Sequence, residues 1–311
     1  MKKSNKISFA ICGASGMSVY HIKAINSSSR AKVSMIYSRF PVLAKKIANK
    51  FDLRYTDNFD DVLKNDNIDA VDIVTEPNRH VRLASMAVKA NRHVLIEKPL
   101  GVDLENAKKF VELAESSDVK VSVISQKRFD LRLQEMKKRM NSGSIGRPFF
   151  AEVKMLTRRD NKYYFAGNGW RNKDSNVLLN QAVHWIDVGL WFFGKPVSVN
   201  GRLFKIDQGI AVDDSAVCNI LFENGLDFNL VCTTAWPSSS KDQFRILGSK
   251  GILSFDSRGK IFCPIKKIKS FVRTPLERQI HSFIDSISEN RRSPQSINDA
   301  YACLKIIKGC Q

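Results

Sequence analysis

Short apolar runs alternate with helix-period stretches from Ile7 to about Ile124. Ile7–Cys12, Lys32–Tyr37, Ala70–Val74, His93–Ile96 and Lys120–Ile124 read as strands. Leu104, Ala107, Val111 and Ala114 recur at helical spacing, and Asp103 stands where an N-cap is needed, so Asp103–Ser116 reads as a helix. Such alternation builds βαβ units and a doubly wound parallel sheet. Near Gly143–Pro148 the pattern changes, and from Phe149 the strands lengthen and alternate in polarity. Two of them, between Ser215 and Thr233, flank Glu223-Asn224-Gly225, a hairpin signal. Ala216, Cys218, Ile220 and Phe222 on one face are answered by Leu226, Phe228, Leu230 and Cys232. Helical segments Pro275–Glu289 and Asn298–Lys308 close the chain.

These elements predict an α/β doubly wound domain over residues 1–125. An α+β domain with a mainly antiparallel open sheet is expected over 126–311, its terminal helices free to pack back on the first. A chain of 311 residues is long enough for two cores, and 43% hydrophobic with 26% charged residues is an ordinary globular composition. Met1-Lys2-Lys3 before an apolar run imitates a signal peptide, but the run is short and leads into a glycine turn, so it reads as the first strand. No apolar stretch approaches the roughly 20 residues that span a bilayer. The six cysteines, Cys12, Cys218, Cys232, Cys263, Cys303 and Cys310, form no C-x-x-C pair and no metal-ligand spacing. That usage fits a cytoplasmic protein without a metal site.

A net charge of +19 raises the question of an anionic partner. The basic residues are scattered, with mild concentrations at Lys127–Arg139 and Arg258–Arg278 and few interleaved aromatics. A solvated basic surface accounts for this better than nucleic-acid or membrane binding.

Chemistry enters at the first strand–helix junction, Gly13-Ala14-Ser15-Gly16-Met17-Ser18. Read as G-x-G-x-x-G, the segment keeps the first glycine, with Ser15 and Ser18 in place of the others. Its position suits a dinucleotide pyrophosphate at a helix N-terminus, the Rossmann arrangement. Tyr37-Ser38-Arg39 ends the second strand with a hydroxyl and a guanidinium instead of an acid, which favours the 2′-phosphate of NADP, NAD being the alternative. Glu97-Lys98-Pro99 lies at the carboxyl edge of the parallel sheet, where Lys98 can reach a substrate hydroxyl. In Asn180-Gln181-Ala182-Val183-His184-Trp185-Ile186-Asp187, helical spacing puts Asn180 and His184 on one face and Asp187 one turn further. An imidazole between an amide and a carboxylate suits a general base.

Together these pieces resemble the glucose–fructose oxidoreductase / inositol dehydrogenase / rhizopine-catabolism (Gfo/Idh/MocA) family through nearly the whole chain. The resemblance rests on Gly13 through His21, on Ile68 through His80 and on Val94-Leu95-Ile96-Glu97-Lys98-Pro99-Leu100. Tyr163-Tyr164, Trp170-Arg171 and Asn180-Gln181-x-x-His184-x-x-Asp187 are similar to the branch acting on sugars and nucleotide sugars. Asp213-Asp214-Ser215-Ala216 and Gly248-Ser249-Lys250-Gly251 resemble its later sheet segments.

Membership implies hydride transfer between nicotinamide and a secondary alcohol carbon of a pyranose, as a free sugar, sugar phosphate or nucleotide sugar. It places Lys98 in the catalytic group, His184 as acid/base, Asp187 as its orienter and Asn180 as a substrate hydrogen-bonding group. Arg171 and Gln181 join the substrate site. Gly13, Ser15, Gly16, Met17, Ser38, Arg39, Thr75, Pro77, Asn78, His80, Glu97 and Lys98 would line the cofactor. Further copies of the chain, through the C-terminal sheet, are the expected macromolecular partners. Two other activities share the fold: an NAD-using glycosidase and a non-catalytic dinucleotide-binding regulator, which typically lacks the lysine or histidine kept here. Departures from the family pattern are the two missing glycines, Asp174-Ser175-Asn176 in place of a glycine run, Asn180 where many relatives carry aspartate, and an end at Gln311.

Overall fold

The computed structural model describes residues 6–238, 242–256, 273–293 and 295–310. Met1-Lys2-Lys3, Cys263 and most of the basic stretch Arg258–Arg278 lie outside the described residues. The chain divides into two units, Met1–Ser125 with Leu276–Tyr301 and Gln126–Pro275 with Ala302–Gln311.

The first unit is built on β1 (Ile7–Cys12), β2 (Ala31–Tyr37), β3 (Arg54–Thr56), β4 (Ala70–Ile73), β5 (His93–Ile96) and β6 (Val121–Val123). All pair in parallel, in the order β3-β2-β1-β4-β5-β6. The order reverses between β1 and β4, so the crevice outside their carboxyl ends is where a dinucleotide binds in this architecture. Five of the six strands are those the apolar runs predict. β3 is three residues long, Arg54-Tyr55-Thr56, too short to show an alternation. The helix Leu104–Glu115 begins where expected, with the Asp103 side chain accepting from the Asn106 N–H.

The helix Pro275–Ser288 belongs to this first unit, not to the second domain as a boundary at 126 alone implies. The reason is its apolar face: Leu276, Ile280, Phe283 and Ile284 join Phe9, Ile11 and Leu95 in one buried cluster. Gln279 fixes it to the sheet edge, accepting from Ser125 N–H at 2.8 Å and donating to Val123 C=O at 2.9 Å. A buried amide thereby satisfies the backbone of β6, an edge strand that would otherwise be left unpaired.

In the second unit, β7 (Pro148–Leu156), β8 (Pro196–Phe204), β9 (Ser215–Phe222), β10 (Asp227–Thr233), β11 (Gln243–Gly248) and β12 (Gly251–Asp256) form a sheet ordered β12-β11-β7-β10-β9-β8. β7 and β10 are parallel and the other pairs antiparallel. The hairpin forms at Glu223-Asn224-Gly225, where Gly225 takes φ +78° and Asn224 accepts from Leu226 N–H. Every residue of the two apolar faces read from the hairpin is buried. Those faces meet the helix Val183–Phe193, whose Trp185 and Phe193 pack among Phe222, Phe228 and Phe244. Tilted and edge-on rings of this kind add to what their buried area contributes.

Among the described residues no helix is long and apolar enough to cross a membrane, and no cluster of His, Cys, Asp or Glu could hold a metal. The five described cysteines are buried.

Candidate functional site

The first unit supplies a dinucleotide cradle. After β1, Gly13 takes φ +118°, and a Cβ there would stand 2.5 Å from the Val74 carbonyl oxygen. The turn then closes through serines. Ser15 and Ser18 form a reciprocal capping box at the start of the helix Gly16–Asn26, and Ser18 Oγ donates to Gly13 C=O at 2.9 Å. A serine in the last position of the motif thus fastens the turn by hydrogen bonding, leaving Gly16 and Met17 exposed at the helix N-terminus. Gly13→Ala should introduce backbone strain of about 1–3 kcal/mol. A lower melting temperature and weaker cofactor binding, read by thermal unfolding and cofactor titration, are the expected results. Unchanged affinity would remove Gly13 from the site.

At the end of β2, Ser38 is buried and accepts from Phe40 N–H, while Arg39 is exposed. Arg79, which the sequence pattern did not single out, reaches the same strand end and donates to the Tyr37 hydroxyl at 2.9 Å. Thr75 and Asn78 flank the buried Pro77 where the helix Pro77–Lys89 begins. His80 lies wholly inside, between Pro99 C=O at 2.8 Å and Thr75 C=O at 3.0 Å. Burial pushes its pKa down, and the neutral ring, fully buried, donates its one N–H to one of these two carbonyls.

Glu97-Lys98-Pro99 follows β5 and contains a cis Lys98–Pro99 bond. Glu97 accepts from the Lys98 main-chain N–H at 2.9 Å. Its other oxygen meets His21 Nε2 at 3.0 Å, and His21 Nδ1 meets Asp72 at 2.8 Å. Burial works against charge on His21, but Asp72 and Glu97 outweigh it and push the imidazole up to about 10. Burial also opposes ionisation of Glu97, and His21 with Lys98 overcomes it, holding this carboxyl below its usual range. Asp72 goes the other way, its pKa raised by burial despite His21. An imidazolium therefore ties the helix of the cofactor turn, through Glu97, to the backbone of Lys98.

The second unit supplies the other cluster. Leu178–Ala182 is a π-helical turn that passes directly into the helix Val183–Phe193. The expected four-residue relation between Asn180 and His184 thus crosses a wider turn, a form often found at functional sites. Asn180 is buried and His184 half-buried. Gln181 donates to the Tyr163 hydroxyl and accepts from Arg159 at 3.4 Å. The carboxylate of Asp187 is gripped by Arg128, Nε at 2.9 Å and Nη2 at 2.7 Å. Arg128 belongs to the basic stretch Lys127–Arg139, where Lys127 pairs with Asp242, Arg132 with Asp130 and Arg139 with Glu135. Four basic residues of that stretch are thus matched to carboxylates, two within it and two elsewhere in the chain.

Two family profiles cover most of the chain. Residues 7–125 match the oxidoreductase family with NAD-binding Rossmann fold, and residues 133–254 match the GFO/IDH/MocA C-terminal domain. The chain belongs to the Gfo/Idh/MocA oxidoreductase family. It is 24% identical to the inositol 2-dehydrogenase of Rhizobium meliloti, over 96% of this chain and 94% of the relative. It is likewise 24% identical to scyllo-inositol 2-dehydrogenase (NAD(+)) of Bacillus subtilis, over 79% and 73%. The WlbA dehydrogenase from Bordetella pertussis, solved with NADH and UDP-GlcNAcA, superposes with a TM-score of 0.89 at 24% identity, over 98% of this chain and 95% of that one. That likeness shows the shared fold. As a Gfo/Idh/MocA member the chain is an oxidoreductase with an NAD-binding domain.

Within this family member, sequence reading missed Arg79, Arg128 and the His21–Asp72 pair. Asp72 did leave a signal, a lone carboxylate inside the apolar run Ala70-Val71-Asp72-Ile73.

Proposed function

We propose that the protein oxidises or reduces a secondary alcohol carbon of a pyranose or related cyclic polyol at the expense of a nicotinamide cofactor. The observation that carries this reading is the retention of both proton-handling groups in a Gfo/Idh/MocA chain: Lys98 at the carboxyl end of β5 and His184 in the first turn of the helix Val183–Phe193. A nicotinamide cofactor, when bound, would supply or accept the hydride. His184 takes the hydroxyl proton as the carbonyl forms, and returns it in the reverse direction. The Lys98 ammonium hydrogen-bonds the same oxygen and stabilises the charge that develops there. Asn180 and Gln181 hold neighbouring hydroxyls, and Arg128 fixes Asp187 beneath the helix turn that carries His184.

The residues fit the cofactor: Gly13 leaves open the space that a Cβ would take from the turn, and Gly16 and Met17 present the helix N-terminus. Mixing the protein with NAD or NADP and a panel of inositols, sugars, sugar phosphates and nucleotide sugars, while following reduced-nicotinamide absorbance, tests the reading. Net accumulation of reduced cofactor supports it. Product without net reduction points to a glycosidase, and binding without turnover to a regulator.

NADP is the proposed preference. Tyr37-Ser38-Arg39 offers no carboxylate to ribose hydroxyls, and Arg39 and Arg79 stand at the same strand end. A guanidinium–phosphate contact is charge-assisted, so Arg39→Ala is expected to weaken NADP binding about tenfold and to spare NAD. Titrating both cofactors into both proteins checks this; tighter wild-type binding of NAD defeats it. Self-association through the second sheet is proposed as well. On its outer face Val217 pairs with Val231, both exposed, as is Ile252. Placement in the cytoplasm is proposed from the sequence, where six cysteines form no C-x-x-C pair.

A further inference from the structure

We propose that Cys218 and Cys310 form a thiol modification site in the second unit, a dithiol that a small-molecule disulfide converts into a cross-link. Cys218 lies on β9, and Cys310 follows directly on the helix Ile297–Gly309. Both side chains are buried, and their Sγ atoms stand 2.7 Å apart across 92 residues of chain. A bond between them therefore needs little movement of either backbone. The neighbouring edge strand leaves room for this approach. Gly201 on β8 pairs with Cys218, and a Cβ at Gly201 would lie 2.8 Å from Cys310 Sγ and 2.9 Å from Cys310 Cβ. A side chain at 201 would displace Cys310 from its position. Cys232, on the next strand, sits opposite Ala216 and not opposite Cys218.

Hydrogen bonding from Cys218 holds the Cys310 thiol below its usual range despite burial, and the same contact together with burial pushes Cys218 up. Cys310 is thus the attacking sulfur. Its thiolate displaces one thiol from oxidised glutathione and forms a mixed disulfide. Cys218 then gives up its proton, attacks the Cys310 sulfur and displaces the second thiol. Two cysteine S–H bonds and the glutathione S–S bond break; one protein S–S bond and two glutathione S–H bonds form. The protein gives up two electrons, which the glutathione disulfide accepts. Because both thiols are buried, the exchange waits on local opening of the last helical turn and is slower than at an exposed thiol. Once closed, the bond ties β9 to the helix end and restricts the unfolded chain across a long loop. In a reducing compartment the dithiol persists, and the cross-link forms as the glutathione pool becomes oxidised. Neither cysteine belongs to the groups proposed to bind cofactor or substrate, so the site stands apart from the dehydrogenase reading.

The test uses the full chain carrying Cys263→Ser, which leaves five of the six cysteines, incubated under native conditions with oxidised glutathione. Thiols titrated after unfolding should fall from five to three, and peptide mapping should find Cys218 joined to Cys310. Dithiothreitol should restore the full count. The oxidised protein should melt roughly 5–10 °C above the reduced one, and Cys310→Ser should abolish both the cross-link and the shift. Gly201→Ala, on an exposed strand edge, should lower the yield of cross-link severalfold while native circular dichroism is kept. A full thiol count after prolonged oxidation overturns the site, as do stable glutathione adducts or a cross-link to Cys232 or Cys303. A Cys218–Cys310 bond that leaves the melting temperature unchanged overturns its restraint of the chain. Full yield in Gly201→Ala overturns the role of the gap on β8.

Discussion

Lys98→Met is expected to lower kcat by about two to four orders of magnitude, and His184→Ala by a similar factor. Methionine matches the length and packing of lysine but removes the ammonium, so the reacting oxygen loses a donor where charge develops. The Lys98 main-chain N–H, bonded to Glu97, is untouched by the change, and so is the turn around Gly13. Cofactor affinity should therefore stay near the wild-type value while turnover falls. His184→Ala removes the proposed proton acceptor from a helix whose core residues, Trp185 and Ile186, are buried. Its residual rate should rise with pH, because hydroxide can replace a missing base. Stopped-flow measurement of a single turnover, with cofactor binding followed separately, checks both. Wild-type rates in both variants would show that the chemistry resides elsewhere.

How much of this was legible in the sequence depends on how local each feature is. The parallel sheet, the hairpin at Asn224 and the helix capped by Asp103 follow from residues that contact near neighbours, and the pattern read them correctly. Lys98 and His184 could be named as candidates because each sits in a motif of adjacent residues. The return of Pro275–Ser288 to the first unit was left open, since its amphipathic face does not say which sheet it covers. The partners that set charge were invisible. His21 meets Asp72 and Glu97 across 51 and 76 residues, and Arg128 meets Asp187 across 59. Nor does composition show which basic residues are matched: in Lys127–Arg139, Arg132 and Arg139 pair within the stretch, while Lys127 and Arg128 pair with the distant Asp242 and Asp187.

The same long-range contacts make His21→Gln a strongly destabilising change in the first unit. Glutamine can donate to one carboxylate but carries no charge, so Asp72 and Glu97 lose the cation between them. Breaking a buried pair in this way costs about 3–5 kcal/mol. That corresponds to a fall of roughly 10 °C in melting temperature for a unit of this size. The pH dependence distinguishes a charged network from ordinary packing. Folded His21 titrates near 10, against 6.5 for the free group, so its contribution is complete below about 6.5. It declines as pH rises above that value and is gone beyond the folded pKa. Glu97 is depressed instead, so its contribution is present above 4.5 and is lost as pH falls through its folded value. Melting curves of wild type and His21→Gln at pH 6, 8 and 10 should thus converge with rising pH, the gap being widest at pH 6. A gap that stays constant across that range would mean that His21 is neutral and serves as packing. Activity supplies the second readout, because the network ends on the backbone of Lys98. At a temperature where the variant is fully folded, a loose Glu97 should let Lys98 shift, lowering kcat more than it raises KM.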